Sequence, residues 1–459
     1  MLTQSPPLVS IQAPKDVSLD EIEASLREIW QTYTLGDNSL AATRAATFSC
    51  LVYEPDGTQS LLAALGFYTG PIDGISGPRT EAALKAAQQA YGLESTGKPS
   101  EALAQRLQAE FVSLTERDKQ TPDNLRVALQ YSPDLVGGNL ADAIASANPC
   151  RIITLCPTLG DDQGVSAQVS AYCPIQQRSP DNALICCEYI MLRGAAQALE
   201  RCGGAIAELM IPDLPKFIWW KATPQPDYGL FQRLVELSDT VIVDSSTFAH
   251  SEDNLACIGA LLEQGAPIAD LNWRRLAPWQ ELAAEAFDPP ERRAAIWEVD
   301  RVIIDYEKGN QSQALMYLGW LASRLQWQPT AYEREGGDYD IRRVRFLGKD
   351  DRPIEVELAG IPTADWGDIP GDLISLKLDS TNPQADCCTV LCSETTGCMR
   401  MEAGGGAQSC RINQVTPLSD QKTEDLLSRQ LQRWGRELLY TESMAVTYQL
   451  LQAESSTQV

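Results

Sequence analysis

Histidine is almost absent from this sequence, and its scarcity excludes several kinds of active site. Of the 459 residues, only His250 is a histidine. A Ser-His-Asp or Cys-His hydrolase would have to use it, and no nucleophile-elbow motif accompanies it. A histidine-rich metal centre cannot be built from one imidazole. We therefore expect His250 to lie in a loop or at the start of a helix, without a catalytic role.

Long apolar runs and a basic leader are also missing. No apolar run approaches the roughly 18 residues that a transmembrane helix requires. Residues 1–14 contain no lysine or arginine and lack the apolar segment of a secretory signal. The sequence therefore predicts a soluble cytoplasmic protein that does not enter a membrane.

Basic residues are few relative to acidic ones. The chain carries 37 Lys and Arg against 62 Asp and Glu, a formal net charge of −25. Such a surface repels phosphate backbones and anionic lipids, which argues against general nucleic-acid binding. The 13 cysteines are an odd number in a long chain, unlike the pattern of a small secreted disulfide scaffold.

The glycine-rich loops that hold nucleotide phosphates are missing as well. Gly137-Gly138 and Gly203-Gly204 are isolated pairs, and neither follows a clear strand at the required spacing. No Gly-Lys-Ser/Thr phosphate loop is present. We therefore expect no cofactor, and we interpret the α/β pattern described next as a binding scaffold.

Strand-like and helical segments alternate through the first two thirds of the chain. This alternation predicts an α/β domain, Rossmann-like and three-layered, with a mainly parallel sheet. From about residue 291, short strand-like runs predict an antiparallel meander closed by one long helix, a C-terminal α+β domain. The predicted boundaries are a disordered tail at 1–17, the α/β domain at 18–56 and 121–290, a small all-α inserted module with its linker at 57–120, and the α+β domain at 291–459.

The inserted module has its own glycine-punctuated pattern. Gly70, Gly74 and Gly77 allow tight turns, and Thr80 starts a helix with one apolar face. This pattern resembles the peptidoglycan-binding-like three-helix module, a resemblance that implies a fold and not a ligand. A strand at 46–53 precedes it, while a helix at 135–147 and a strand at 151–155 follow. The module therefore interrupts the first crossover, and we expect its removal to leave the rest folded.

Four tryptophans lie between Ile211 and Asp288, close to basic residues. Two readings are open: each tryptophan is core, or aromatic and basic side chains together anchor a partner. In the same stretch, Pro212-Asp-Leu-Pro215, Trp219-Trp220, Val243-Asp-Ser245 and Asp270-Leu-Asn-Trp273 resemble the OpcA family, described as glucose-6-phosphate dehydrogenase assembly proteins. The resemblance implies a non-catalytic partner that binds and activates the oligomeric dehydrogenase of the oxidative pentose phosphate pathway. The predicted partner-binding residues are Pro212, Asp213, Trp219, Trp220, Lys221, Arg274, Arg275 and Trp279.

Five cysteines cluster near the C-terminus: Cys387, Cys388, Cys392, Cys398 and Cys410. They could be core residues, a metal site or a redox pair, and the metal reading lacks both paired Cys-x-x-Cys spacing and a nearby histidine. Cys392 and Cys398 flank a hairpin turn, so their sulfurs could meet across it if the register allows. The family resemblance favours the redox reading, because cyanobacterial members are associated with thioredoxin-linked control. Thioredoxin is therefore a second candidate partner.

The alternative function is catalytic. An α/β enzyme acting on a sugar phosphate or nucleotide could use carboxylates such as Asp213 and Asp244. An activity assay of the isolated protein, beside one with the dehydrogenase, would separate the two hypotheses.

Overall fold

A computed structural model describes residues 8–34, 42–44, 46–118, 149–174, 184–248, 250–290, 292–362, 369, 371–385, 387–394, 398–403, 412–417, 423–433 and 435–455. The protein is a mixed α/β structure with two sheets. The strands are β1 Leu8–Val17, β2 Ala42–Arg44, β3 Ser49–Tyr53, β4 Arg151–Thr158, β5 Val165–Pro174, β6 Leu184–Ala195, β7 Lys216–Trp220, β8 Thr240–Val243, β9 Ile268–Asp270, β10 Arg301–Glu307, β11 Gln328–Gly336, β12 Ile341–Leu347, β13 Pro353–Ile361, β14 Leu373–Asp379, β15 Thr389–Glu394, β16 Cys398–Ala403 and β17 Ile412–Pro417.

Along the chain, most helices connect strands of the first sheet, and the others precede or follow strands of the second sheet. They are α1 Ile22–Thr34, α2 Thr58–Ala64, α3 Pro78–Ala90, α4 Glu101–Asp118, α5 Ala196–Arg201, α6 Gly203–Glu208, α7 Gly229–Leu237, α8 Ser251–Glu263, α9 Leu271–Arg275, α10 Ala277–Glu285, α11 Ser312–Leu325, α12 Thr423–Gln430 and α13 Leu438–Ser455. The helix predicted at 135–147 lies outside the described residues. No helix in the described ranges is both long and apolar enough to cross a membrane.

The first sheet has the strand order of a doubly wound dinucleotide-binding fold. Its path is β1-β5-β6-β4-β3-β7-β8-β9, and the six strands from β6 to β9 are parallel. Numbered along the chain, those six follow the order 3-2-1-4-5-6, with the topological switch point between β3 and β7. The mainly parallel sheet predicted from the sequence is confirmed.

Side chains alternate between the two faces of this sheet, and both faces are covered. Leu51 and Ile218 belong to the large core that includes α1, α7 and α8, whereas Cys50 and Phe217 belong to a smaller cluster on the other face. Leu426, Leu427 and Leu431, from α12 and the residue after it, complete that smaller cluster. Part of the sheet cover therefore comes from the C-terminal end of the chain.

The second sheet is antiparallel except at one position. Its order is β11-β12-β13-β10-β14-β15-β16-β17, and β10 pairs with β13 in parallel. The predicted uninterrupted meander is therefore wrong at this point. Because β10 precedes the helix α11 and inserts between β13 and β14, the hairpin order of the later strands is broken.

Three further local predictions need correction. Residues 8–17 are not a loose tail but an edge strand, β1, paired antiparallel with β5. The short run 206–210, whose apolar residues by themselves predict a strand, lies largely in the helix α6, where Ile206 packs into the core. The single long closing helix is two helices, α12 and α13, separated around Gly435, whose φ of 96° lies in the left-handed region.

Candidate functional site

The aromatic anchor predicted around Trp219 and Trp220 is not at the surface. Trp219 is 3% exposed, Trp220 1% and Trp279 2%. Consecutive residues of a strand point to opposite faces, so Trp219 joins the smaller cluster and Trp220 the large core. Of the two readings left open by the sequence, burial favours the core reading for these three residues: helices cover both faces of the sheet around Trp219 and Trp220, and Trp279 packs into the large core from its own helix.

Trp220 lies at the centre of an aromatic cluster near the carboxyl ends of β3 and β7. Its ring stacks on Tyr53, with centroids 3.7 Å apart and planes 5° apart. Phe231 of α7 meets it edge-on at 4.7 Å. Tyr53 and Trp220 are register partners at the ends of β3 and β7, so this stack lies at the switch point of the sheet.

The crevice at the switch point, where doubly wound folds bind their ligands, is occupied by the inserted module. The Tyr53 hydroxyl donates a hydrogen bond to the Asp73 carbonyl oxygen at 2.9 Å. The Thr223 amide donates to the Ile72 carbonyl oxygen at 2.9 Å. A Cβ added at Gly74 would lie 2.7 Å from the Pro157 ring. The module turn 72–74 therefore packs directly on the ends of β3, β4 and β7.

Arg275 forms a buried ion pair with Asp244. Its two terminal nitrogens lie 2.8 and 2.9 Å from the two carboxylate oxygens, a bidentate geometry. A further hydrogen bond joins Arg275 to the Thr423 hydroxyl at 3.2 Å. Burial alone would raise the pKa of Asp244, but Arg275 and the Ser246 hydroxyl outweigh it, so the pKa lies below its ordinary value. Arg275 thus fastens α9 and the start of α12 to the end of β8.

Arg274 belongs to a second contact between the α/β domain and the C-terminal helices. It donates to the Gln430 side chain at 3.0 Å and pairs with Glu437 at 2.7 Å. The Trp273 indole donates to the same Glu437 carboxylate at 3.1 Å. Arg274 and Arg275 therefore bind this chain's own helices, and neither is an exposed anchor.

The remaining predicted partner-binding residues are more accessible but lie apart. Pro212 and Asp213 are exposed in the turn before β7, where Asp213 has a left-handed φ of 63°. Lys221, beyond the other end of β7, pairs with Glu54 at 2.7 Å and lies 4.9 Å from the Trp219 ring centroid. The structure therefore does not bring the eight predicted residues into one patch.

The carboxylates of the alternative enzymatic hypothesis are also separated. Asp213 precedes β7, at its amino end, whereas Asp244 follows β8, at its carboxyl end. Because β7 and β8 are parallel neighbours, the two residues lie at opposite edges of the sheet. They cannot act as one acid–base pair, and Asp244 is already bound to Arg275.

Asp270, at the end of β9, is a buried carboxyl group that sequence reasoning missed. Its Oδ1 accepts hydrogen bonds from the amides of Ser245 and Asn272, while the buried Oδ2 has no hydrogen-bond partner among the described residues. Burial, and then the charge of Asp244, raise the pKa of Asp270 to about 6. A run such as Ile268–Asp270 gives no sign of this, because burial of the strand end depends on the tertiary fold.

The raised pKa predicts a pH dependence of stability. An unfolded aspartate titrates near 3.9, so between about pH 4 and 6 the folded protein holds a proton that the unfolded chain has released. This group therefore stabilises less as the pH rises through that window. Asp270→Asn keeps an acceptor for both amides and cannot ionise. Its free energy of unfolding should gain roughly 2–3 kcal/mol relative to the parent between pH 4 and 7.

Denaturant titrations of both proteins across this pH range measure the difference between their free energies of unfolding. The other carboxyl groups titrate alike in both proteins, so their contributions cancel in this difference. A constant difference would show that Asp270 titrates normally in the folded state.

The C-terminal cysteines are only partly described. None of the nine cysteines whose side chains are described forms a disulfide. Cys387 is 1% exposed, and burial followed by the charge of Asp379 raises its pKa to about 12, which disfavours a reactive thiolate. Cys388 and Cys392 are half-buried. Cys410 lies outside the described residues.

The register of the hairpin bears on the predicted redox pair. Cys392 of β15 lies opposite Arg400 of β16, and Cys398 lies opposite Glu394. The two residues therefore occupy diagonal positions in the register of the hairpin and are not a directly opposed pair. A disulfide between them would require the hairpin to shift from this register. Among the described residues, no group of three or more His, Cys, Asp or Glu could hold a metal ion.

Three parts of the chain match known family models. Residues 141–260 match the model described as "Glucose-6-phosphate dehydrogenase subunit N-terminal domain", and residues 266–444 the corresponding "C-terminal domain". Residues 58–107, which contain α2 and α3, match the model described as "Putative peptidoglycan binding domain". The first two models together span most of both sheets.

Three cyanobacterial relatives named "Putative OxPP cycle protein OpcA" align along almost their whole length. The Synechocystis protein is 62% identical over 98% of this chain and 94% of its own. The Nostoc punctiforme protein is 57% identical over 97% and 96%, and the Synechococcus elongatus protein 52% identical over 97% and 98%. A solved oxidoreductase from Sinorhizobium meliloti aligns with 90% of this chain and 99% of its own, at 9% identity and a TM-score of 0.38.

Proposed function

The chain belongs to the OpcA family, and on that premise we propose that it is a non-catalytic assembly factor and allosteric activator of glucose-6-phosphate dehydrogenase. The observation that carries the proposal is the match of residues 141–260 and 266–444 to dehydrogenase subunit domains. Identities of 52–62% with OxPP cycle proteins support a place in the oxidative pentose phosphate cycle.

Two features of the fold support binding over catalysis. The crevice at the switch point is filled by the module turn that accepts hydrogen bonds from Tyr53 and Thr223. The candidate carboxylates Asp213 and Asp244 lie at opposite edges of the sheet. A partner that binds one state of the dehydrogenase more tightly shifts the enzyme toward that state, so activation needs no chemistry from this chain.

Adding this protein to purified dehydrogenase should raise the apparent affinity of the enzyme for its substrate. A coupling free energy of about 1–3 kcal/mol corresponds to a change of roughly 5–150-fold. Initial rates at varied substrate, together with sedimentation of the mixture, measure the activation and the assembly. A mixture that neither sediments as a complex nor changes the kinetics would contradict the proposal, and turnover by this protein alone would favour the enzymatic alternative.

Among the predicted partner-binding residues, we propose Pro212 and Asp213 as contacts with the dehydrogenase. They are exposed in the turn before β7, where Asp213 has a left-handed φ of 63°. Asp213→Asn removes the charge, while asparagine tolerates the left-handed backbone. If the contact exists, the variant should bind the dehydrogenase more slowly in the same assay. The matched control is Asp227→Asn, an exposed acid in a different loop.

We propose that the activator is redox-sensitive through Cys392 and Cys398 and that thioredoxin reduces the pair. The supporting observation is that Cys398 lies opposite Glu394, only two residues from Cys392, so a shift of the hairpin register would bring the two cysteines opposite each other. The activation assay is repeated after oxidation and after reduction with thioredoxin, with differential alkylation reporting each thiol. Activation that differs between the two states in the parent, but not in Cys392→Ser, supports the proposal. Identical alkylation patterns in both states would contradict it.

A further inference from the structure

A cavity of about 460 Å³ lies between the inserted module and the first sheet. Its walls come from four places: the module turn at Lys98 and Pro99, the end of β4 with the loop after it at 158–164, Ser166 of β5, and the end of β6 at 193–195. The ends of β4 and β6 are carboxyl ends of parallel strands at a junction between two parts of the fold, the position where ligand sites concentrate. The cavity is separate from the filled crevice at β3 and β7.

The cavity lining carries one more positive than negative charge, because its one acid, Asp161, pairs with Lys98 and leaves the charge of Arg193 in excess. Lys98 Nζ lies 2.5 Å from Asp161, and Arg201 lies 2.5 Å from Asp162. The guanidinium of Arg193 has no carboxylate within 4.0 Å in the described part of the chain, and it contacts the Met191 sulfur at 3.9 Å. With Lys98 and Arg193 counted against Asp161, the lining carries a formal charge of +2 − 1 = +1 on a molecule of net charge −25.

The rest of the lining is polar and has a defined shape. Thr158, Gln163 and Ser166 contribute hydroxyl and amide groups. The loop after β4 packs tightly on β6, because a Cβ at Gly194 would lie 2.5 Å from the Gly164 carbonyl oxygen. Gly164 itself has a φ of 88°, which favours glycine. The loop after β4 therefore lies close against the end of β6.

We propose that this cavity binds a small phosphate monoester, with a sugar phosphate as the class that fits best. A guanidinium presents parallel donors to two phosphate oxygens, and an ammonium adds a compact positive charge. The hydroxyl and amide groups of the lining suit the hydroxyls of a sugar. The volume lies within the roughly 300–1,000 Å³ range of small-molecule sites. Since one wall belongs to the module, the bound ligand holds the module against the sheet.

Calorimetric titration of the full chain with glucose 6-phosphate, inorganic phosphate and glucose tests the proposal. We expect saturable binding of glucose 6-phosphate and none of glucose. The Lys98→Met/Arg193→Met variant should bind about tenfold more weakly or worse, since each lost contact is a charge-assisted hydrogen bond. Both side chains are largely exposed, so the variant should fold normally, which circular dichroism checks. If inorganic phosphate displaces glucose 6-phosphate completely, the site recognises the phosphate group alone, and free phosphate is its ligand.

The matched control is Arg79→Met, an exposed arginine of the same module that does not line the cavity. Arg193→Glu provides a second variant, which should abolish binding by charge reversal. Wild-type protein that binds no phosphate probe at millimolar concentration would overturn the proposal. So would unchanged affinity in the double variant, because binding would then occur elsewhere. Neither result depends on the dehydrogenase, so the two proposals can fail independently.

Discussion

Replacing Arg275 with alanine should lower the free energy of unfolding by about 3–5 kcal/mol, because it leaves the buried Asp244 carboxylate without its counter-ion. Arg275 is 6% exposed and holds both oxygens of Asp244. The variant also loses the hydrogen bond to Thr423 at the start of α12. Denaturant unfolding followed by tryptophan fluorescence measures the loss. Any weakening of dehydrogenase activation in this variant would then follow from instability and not from a lost contact.

The matched control is Arg274→Ala, which removes the neighbouring and more exposed ion pair with Glu437. Its cost should be about 1 kcal/mol or less, as for a partly solvated pair. In the double variant Asp244→Ala/Arg275→Ala, the two losses should be smaller than additive, since no isolated charge remains buried. Equal destabilisation by Arg274→Ala and Arg275→Ala would show that burial of the Asp244 pair does not set the stability.

Deleting residues 58–118 should destabilise the rest of the chain, in contrast to the prediction from sequence that the module is dispensable. The Tyr53 hydroxyl and the Thr223 amide would both lose their acceptors in the module turn. Each polar group left without a partner in a buried site costs about 1–3 kcal/mol, so the total is roughly 2–6 kcal/mol. Thermal unfolding of deletion variants with several Gly/Ser linker lengths measures the effect.

The control for this deletion is Leu103→Ala, which opens a cavity in the module's own core and should cost about 2–5 kcal/mol within the module. If the turn 72–74 stays packed on the strand ends, Leu103→Ala should lower the stability of the first sheet less than the deletion does. Deletion variants that unfold at the parent's temperature would establish the module as an independent spacer.

Local sequence patterns were sufficient for most strands and helices. β3, β7 and β8 are short apolar runs bounded by turn residues, which predict buried parallel strands. Leucines at helical spacing, at positions 315, 318, 321 and 325, predict the helix α11, and the glycine turns with one apolar helix face predict the module. The family resemblance depended on several separated motifs that occur in the right order along the sequence.

Three other features of the structure have no local pattern in the sequence that would predict them. The docking of the module depends on a backbone hydrogen bond between Thr223 and Ile72, and any residue type except proline can donate one. The raised pKa of Asp270 depends on burial and on the nearby charge of Asp244. The edge strand β1 is held by pairing with β5, about 150 residues later in the chain.

Trp219 and Trp220 show which structural features the sequence determines and which depend on the tertiary fold. The sequence by itself determined that Trp219 and Trp220 lie on a strand and point to opposite faces, because that alternation is a property of the extended backbone. Whether each face meets water or core was decided only by the tertiary structure. The cover over Trp219 includes Leu426, Leu427 and Leu431, which the fold brings from the far end of the chain. Burial depends on such distant packing, so a pattern of neighbouring residues could not distinguish a core tryptophan from an exposed anchor.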